Sequence, residues 1–185
     1  MHHKTAAMQR GRMFWRRNRS DDPKRGTSEH DSRAVLQPVR IFTTDSTIAG
    51  WIDIAGQRLS DVLNVEDLLS VSRSDRPDES DWFVIERDAM LIAVPPAHRS
   101  DRIMRVHRVK RRISVLTGHY VVRGVVHLVA GIGLDPFLAR STQHFLPLTE
   151  AWVTSTKRPE VDEQHPTVLL NVRSTAQRLQ LEVLE

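Results

Sequence analysis

The chain has 185 residues, a hydrophobic share of 39%, four tryptophans, no cysteine and a formal net charge of +4. That length fits one ordinary domain or two small ones, with enough apolar content for a core. The lack of cysteine excludes disulfides, thiolate catalysis and Cys-ligated zinc or iron–sulfur centres.

The net charge hides a patchwork. Residues 1–30 hold eight Lys/Arg against three acids, residues 31–98 hold six against twelve, and residues 99–112 hold seven against Asp101 alone. The basic character sits in a tail and a connector, and the first folded stretch is acidic. The N-terminus is charged from Lys4 to Arg25 and has no apolar h-region, so no signal peptide is expected. The most apolar run, Tyr120 to Leu134, is broken by Arg123, His127 and several glycines and is too short to span a bilayer. The expected location is the cytoplasm, or a membrane face reached through a partner.

Residues 1–34 show no periodicity and read as a disordered basic tail. Within it Arg10, Arg12, Arg16, Arg17 and Arg19 surround Phe14 and Trp15. Arginines interleaved with aromatics suit phosphate contacts plus base stacking, an anionic membrane surface or an acidic partner. The bland alternative is a solubilising tail.

Order is expected from Val35. Val39 to Thr43 and Thr47 to Ile54 alternate at period two around Asp45-Ser46, which is a hairpin signal. Ser60 or Asp61 can then N-cap a short helix carrying Leu59, Val62 and Leu63. Leu68 to Val71, Trp82 to Ile85 and Ala89 to Val94 read as three further strands, stopped by Pro95-Pro96. Residues 35–97 thus form a first β-rich unit.

Residues 98–111 form a basic connector, with Arg99, Arg102, Arg105 and Arg108, then Lys110 and Arg111, and with Arg112 at its end. If helical, the three-residue spacing makes a basic face beside an apolar stripe of Ile103, Val106 and Val109; if extended, it leads into the next strand. The bland reading is a solvated crossover that offsets the acidic first unit.

Residues 112–185 repeat the first pattern. A slide of 74 positions puts Val39 on Ile113, Ile41 on Val115, Gly50 on Gly124 and Ile54 on Leu128. Leu59 and Leu63 fall on Leu134 and Leu138 with one inserted residue. Asp135 can cap this helix, with Pro136 at its first position. Leu68 to Val71 aligns with Phe145 to Leu148, and the last hairpin matches Val168 to Val172 and Gln177 to Val183. The fold expected is mainly β with short helices (α+β): two tandem copies of a β-β-α-β-β-β unit, as small barrels or one shared sheet.

Two stretches, Gly50 to Ile54 followed by Arg58-Leu59-Ser60-Asp61-Val62-Leu63-Asn64, and Phe145 to Ala151, resemble a family of uncharacterised bacterial proteins with a duplicated β-rich domain. The resemblance spans roughly residues 38–183 and implies no activity. Each motif is clearest in a different copy. A fainter similarity to Sm-like small barrels rests on the glycine of the second strand and Asp61-x-x-Asn64. A helix is expected at that point, so no RNA contact is carried onto Asp61 or Asn64.

No converging catalytic set emerges, and no enzyme activity and no cofactor are expected. His119 and His127 lack a third ligand at metal spacing, and Gly131-Ile132-Gly133 lacks the rest of a phosphate loop. The paired arginines Arg12-x-x-x-Arg16 and Arg108-x-x-x-Arg112 lack the strand motif that cyclic-di-GMP-binding PilZ domains place after them. Trp51, Trp82 and Trp152 are expected in sheet or core packing. The function expected is a non-enzymatic interaction module that binds a protein partner or self-associates, with the tail adding electrostatic contact. The alternative is a nucleic-acid-binding protein that uses tail and connector.

Overall fold

The computed structural model describes residues 36–96, 108–173 and 180–184, and the alternating segments are strands throughout. The first half runs β1 (Gln37–Thr43), β2 (Thr47–Ile52), α1 (Leu59–Val65), β3 (Leu68–Ser72), β4 (Trp82–Glu86) and β5 (Met90–Val94). The second runs β6 (Arg108–Thr117), β7 (Tyr120–Val129), α2 (Leu134–Arg140), β8 (Phe145–Ser155), β9 (Asp162–Asn171) and β10 (Gln180–Leu184). One 3-10 turn, Glu79–Asp81, leads into β4, and another, Arg87–Ala89, joins β4 to β5.

All ten strands form one antiparallel sheet in the order β10-β6-β7-β8-β9-β5-β1-β2-β3-β4. The fold is mainly β, with two helices of seven residues among the described residues. In the first hairpin Val39 lies opposite Gly50 and Ile41 opposite Ile48; in the second Ile113 lies opposite Gly124 and Val115 opposite Val122. Tight turns at Asp45-Ser46 and at Gly118, where φ is 60°, fix these registers.

The halves meet where β5 pairs with β9, Ile92 opposite Leu170 and Ala93 opposite Leu169. Successive strand residues face opposite sides of a sheet, and here the two sides carry different cores. Ala93, Leu169 and Ile41 pack with Leu59, Leu63 and Val71. Ile92, Leu170 and Phe42 pack with Ile113, Val115 and Leu148. The two cores therefore lie on opposite faces of one continuous sheet, and each borrows side chains from the other half.

Both helices start earlier than the cap residues suggested. Arg58 is the N-cap of α1 and Gly133 that of α2, neither with a side-chain cap hydrogen bond. Asp61 and Asp135 sit in the first turns, where a carboxylate still opposes the positive helix end, and Pro136 follows in the first turn of α2. Asn64 explains the end of the Arg58–Asn64 motif. Its Oδ1 accepts the backbone N–H of His144 at 2.7 Å and of Phe145 at 3.0 Å, and its Nδ2 donates to the Ser60 carbonyl. The residue anchors the start of β8 to α1.

Candidate functional site

Two surfaces stand out once the strands are placed. The first is the outer face of β6–β9. On β6 the core side carries Ile113, Val115 and Thr117, all buried, so Arg108, Lys110 and Arg112 fall on the opposite side. All three are exposed, as is Arg111, so the basic end of the connector is extended backbone from Arg108 onward. Lys110 lies opposite His127 and Arg112 opposite Val125 on β7. One step along, Arg123 on β7 lies opposite Trp152 on β8, which lies opposite Gln164 on β9.

These residues border an open hollow of about 730 Å³ lined by Arg112, Arg123, Glu150, Trp152, Gln164 and His165. Glu150 has φ of 51°, and the β7–β8 register shifts there, as at a β-bulge that re-aims its neighbours. The Trp152 indole N–H donates to Asp162, while the residue stays 40% exposed. Arg112 and Arg123 have no carboxylate partner among the described residues. Glu150 and Asp162 make the face mixed in sign.

Two histidines tie this half together. His127 Nε2 lies 2.9 Å from Thr149 Oγ1, which also contacts the Val125 carbonyl, so the pair bridges β7 and β8. Burial, with Lys110 and Arg108 beside it, holds His127 below the ordinary histidine value. His119 is buried against the Tyr120 ring, and Arg158 reaches both. Burial, then Arg158 and Lys157, lower its pKa as well. No group of three or more metal-binding side chains occurs among the described residues, and none of their helices is long and apolar enough to cross a membrane.

The second surface is the pair of sheet edges left without a neighbouring strand among the described residues, β4 at one end and β10 at the other. β4 carries Trp82 at 36% and Val84 at 58% exposure, with Leu68 of β3 exposed beside it; β10 carries Val183 at 50%. Edge strands offer unpaired N–H and C=O groups, and an apolar edge is a template for another strand. Trp82 and Trp152 are thus surface residues rather than core, and Trp51 is only half-buried; each follows the outward phase of its strand.

Of the residues singled out from the sequence, Arg108, Lys110, Arg111 and Arg112 come together on β6. Arg10, Arg12, Phe14, Trp15, Arg16, Arg17, Arg19, Arg99, Arg102 and Arg105 lie outside the described residues. Sequence reasoning passed over Arg123, whose only signal was its interruption of an apolar run. It also passed over Val84 and Val183, which look like any strand valine until the strand order is known. No family model matches this chain, and neither the curated proteins nor the solved structures give a match.

Proposed function

We propose that the chain is a non-enzymatic interaction module of the cytoplasm, its β body one five-stranded unit present twice, acting through the free edges of the sheet. The observation that carries this reading is the pair of edges, β4 and β10, which bear exposed Trp82, Val84 and Val183 and are the two strands with one neighbour each among the described residues.

The duplication draws support from geometry. Each half orders its strands fifth-first-second-third-fourth. The hairpins share their register under the 74-residue slide. The glycine approach recurs: a Cβ on Gly50 would meet Val71 and the Ser72 carbonyl, and one on Gly124 would meet Leu148 and the Thr149 carbonyl. Residues 36–96 and 108–184 then act as two copies joined through β5 and β9.

Strand-forming peptides test the reading. Labelled peptides copying Trp82–Glu86 and Gln180–Leu184, added to full-length protein, are expected to raise fluorescence anisotropy saturably. Val84→Lys is expected to weaken one peptide's binding at least tenfold, since a charge then faces the incoming apolar strand. Absence of binding by both peptides, together with unprotected β4 and β10 amides in hydrogen exchange, overturns it.

A second reading, nucleic-acid binding, is favoured by one observation: the row of Arg108, Lys110 and Arg112 beside Arg123 and the exposed face of Trp152. It predicts salt-dependent binding of single-stranded DNA or RNA, weakened severalfold by Arg112→Gln with Arg123→Gln. Binding unchanged by that pair and by removal of residues 1–32 removes this reading.

A further inference from the structure

We infer that the occupant of both edges is a second copy of this chain, added head to tail, with β4 of one copy against β10 of the next. This rests on the edge reading above and names its partner.

The inference starts from the junction already inside the chain. There the fourth strand of the second half, β9, pairs with the fifth strand of the first half, β5. The strands left at the two ends are the fourth of the first half, β4, and the fifth of the second half, β10. One copy's free edge is of the kind that the other copy's free edge already pairs with inside each chain.

The register can be transferred. Leu69 opposite Ile85 on β3–β4 corresponds to Leu146 opposite Leu170 on β8–β9, so Ile85 takes the place of Leu170 and Val84 that of Leu169. Ile41 opposite Ala93 corresponds to Val115 opposite Leu181, so Leu181 takes the place of Ala93. Since Ala93 lies opposite Leu169, Leu181 of one copy falls opposite Val84 of the next, and Val183 opposite Trp82.

Burial agrees with this placement. At the internal junction Leu169 points away from its own half's core and into the other's, and is 3% exposed. Its counterpart Val84, also on the side away from its own core, is 58% exposed. In the transferred register Val84 and Trp82 lie on the face where Val183 stands beside the buried Ile113. The same step sets Glu182 opposite Phe83, over whose ring the Arg73 guanidinium lies at 4.8 Å, so a carboxylate meets a cation. A heterologous contact of this kind closes into a ring or extends as a filament, according to the rotation at each step.

Two valine variants test it in the full chain. Wild type is expected to sediment as concentration-dependent oligomers, and Val84→Lys and Val183→Lys each as monomers, with association at least tenfold weaker. An equimolar mixture of the two variants retains one intact junction and is expected to form a 1:1 complex and nothing larger. Cysteine trapping gives an independent readout, because the natural chain has no cysteine. Trp82→Cys protein mixed with Val183→Cys protein is expected to give a disulfide-linked pair that neither forms alone. The inference fails if wild type stays monomeric at every concentration while the edge peptides still bind, which leaves the edge reading intact with another partner. It also fails if one valine variant alone still dimerises, the sign of like-with-like pairing.

Discussion

The two halves of the sheet order their strands alike but differ in strand length and in the room around their central glycines. In the first half the strands are five to seven residues long, and a Cβ on Gly50 would sit 2.5 Å from Val71 Cγ1 and 2.7 Å from the Ser72 carbonyl oxygen. In the second half β6 to β9 run ten or eleven residues, and the matching distances at Gly124 are 3.1 Å to Leu148 Cβ and 3.3 Å to the Thr149 carbonyl oxygen. The dependence runs both ways: Phe145 and Leu169 complete the core of the short-stranded half, Phe42, Leu91 and Ile92 enter the core of the other, and Asn64 holds the start of β8. The difference teaches that two glycines in matching hairpin registers differ in the room left for a Cβ, and the hairpin with shorter strands has the less.

The sharpest test of that contrast is alanine at the two glycines. Neither glycine has a positive φ, so the effect is steric rather than torsional. Val71 is β-branched and fully buried, and the Ser72 carbonyl is backbone, so both give way only with β3. Gly50→Ala is expected to cost about 3 kcal/mol, the upper range for overpacking. Gly124→Ala, where a few tenths of an ångström suffice, is expected to cost about 1 kcal/mol, because lower chain entropy in the unfolded state offsets part of the crowding. Urea midpoints at constant m-value read both; equal losses break the comparison.

Asn64 supplies the next largest effect. Asn64→Ala leaves the His144 and Phe145 N–H groups without their side-chain acceptor at a part-buried site, and a loss of about 2 kcal/mol is expected. By the helix alignment of Leu63 with Leu138, the matching position of α2 is Ala139. Ala139→Asn is therefore expected to be neutral within about 0.5 kcal/mol. Amide exchange at His144 and Phe145 should quicken in the first variant and not in the second.

How far this was legible in the sequence depends on the range of the contact. The strands declared themselves by period-two alternation, and Asp45-Ser46 and Gly118-His119 marked the hairpin turns. Pairing between distant strands left no local trace: nothing in Met90–Val94 says that β9 lies beside it, so the shared sheet and its free edges could not be read. Trp82 and Trp152 were expected in packing, because residue type outweighed phase; phase alone, counted from Ile85 and Val153, sets both outward. The caps were misplaced by a few residues, since Asp61 and Asp135 favour a first turn as well as a cap. Of the candidate contacts, the β6 group was visible as a charge run. Arg123 and Asn64 were single letters whose partners are 29 and more than 79 positions away.

The smallest effect separates the halves by pH. The second half holds His119 and His127, both lowered first by burial and then by neighbouring cations, with Asp45 and Glu150 opposing weakly. A histidine whose pKa is lowered in the fold takes a proton more readily once unfolded. Stability is therefore full above the ordinary value of 6.5 and is lost as pH falls through it. In the first half Asp78 is lowered by its hydrogen bonds from the Ser80 hydroxyl and N–H. Its contribution is present above 3.8 and disappears only below that. The thermal midpoint is expected to fall between pH 7 and pH 5, and His127→Gln with His119→Gln should flatten that fall, while Asp78→Asn should not. Since a glutamine amide can bond to Thr149 Oγ1 in place of His127 Nε2, the flattening isolates the proton and not the bridge between β7 and β8. A midpoint that is level from pH 7 to 5 in the natural chain would mean that folding does not lower either imidazole, and would remove the pH contrast between the halves.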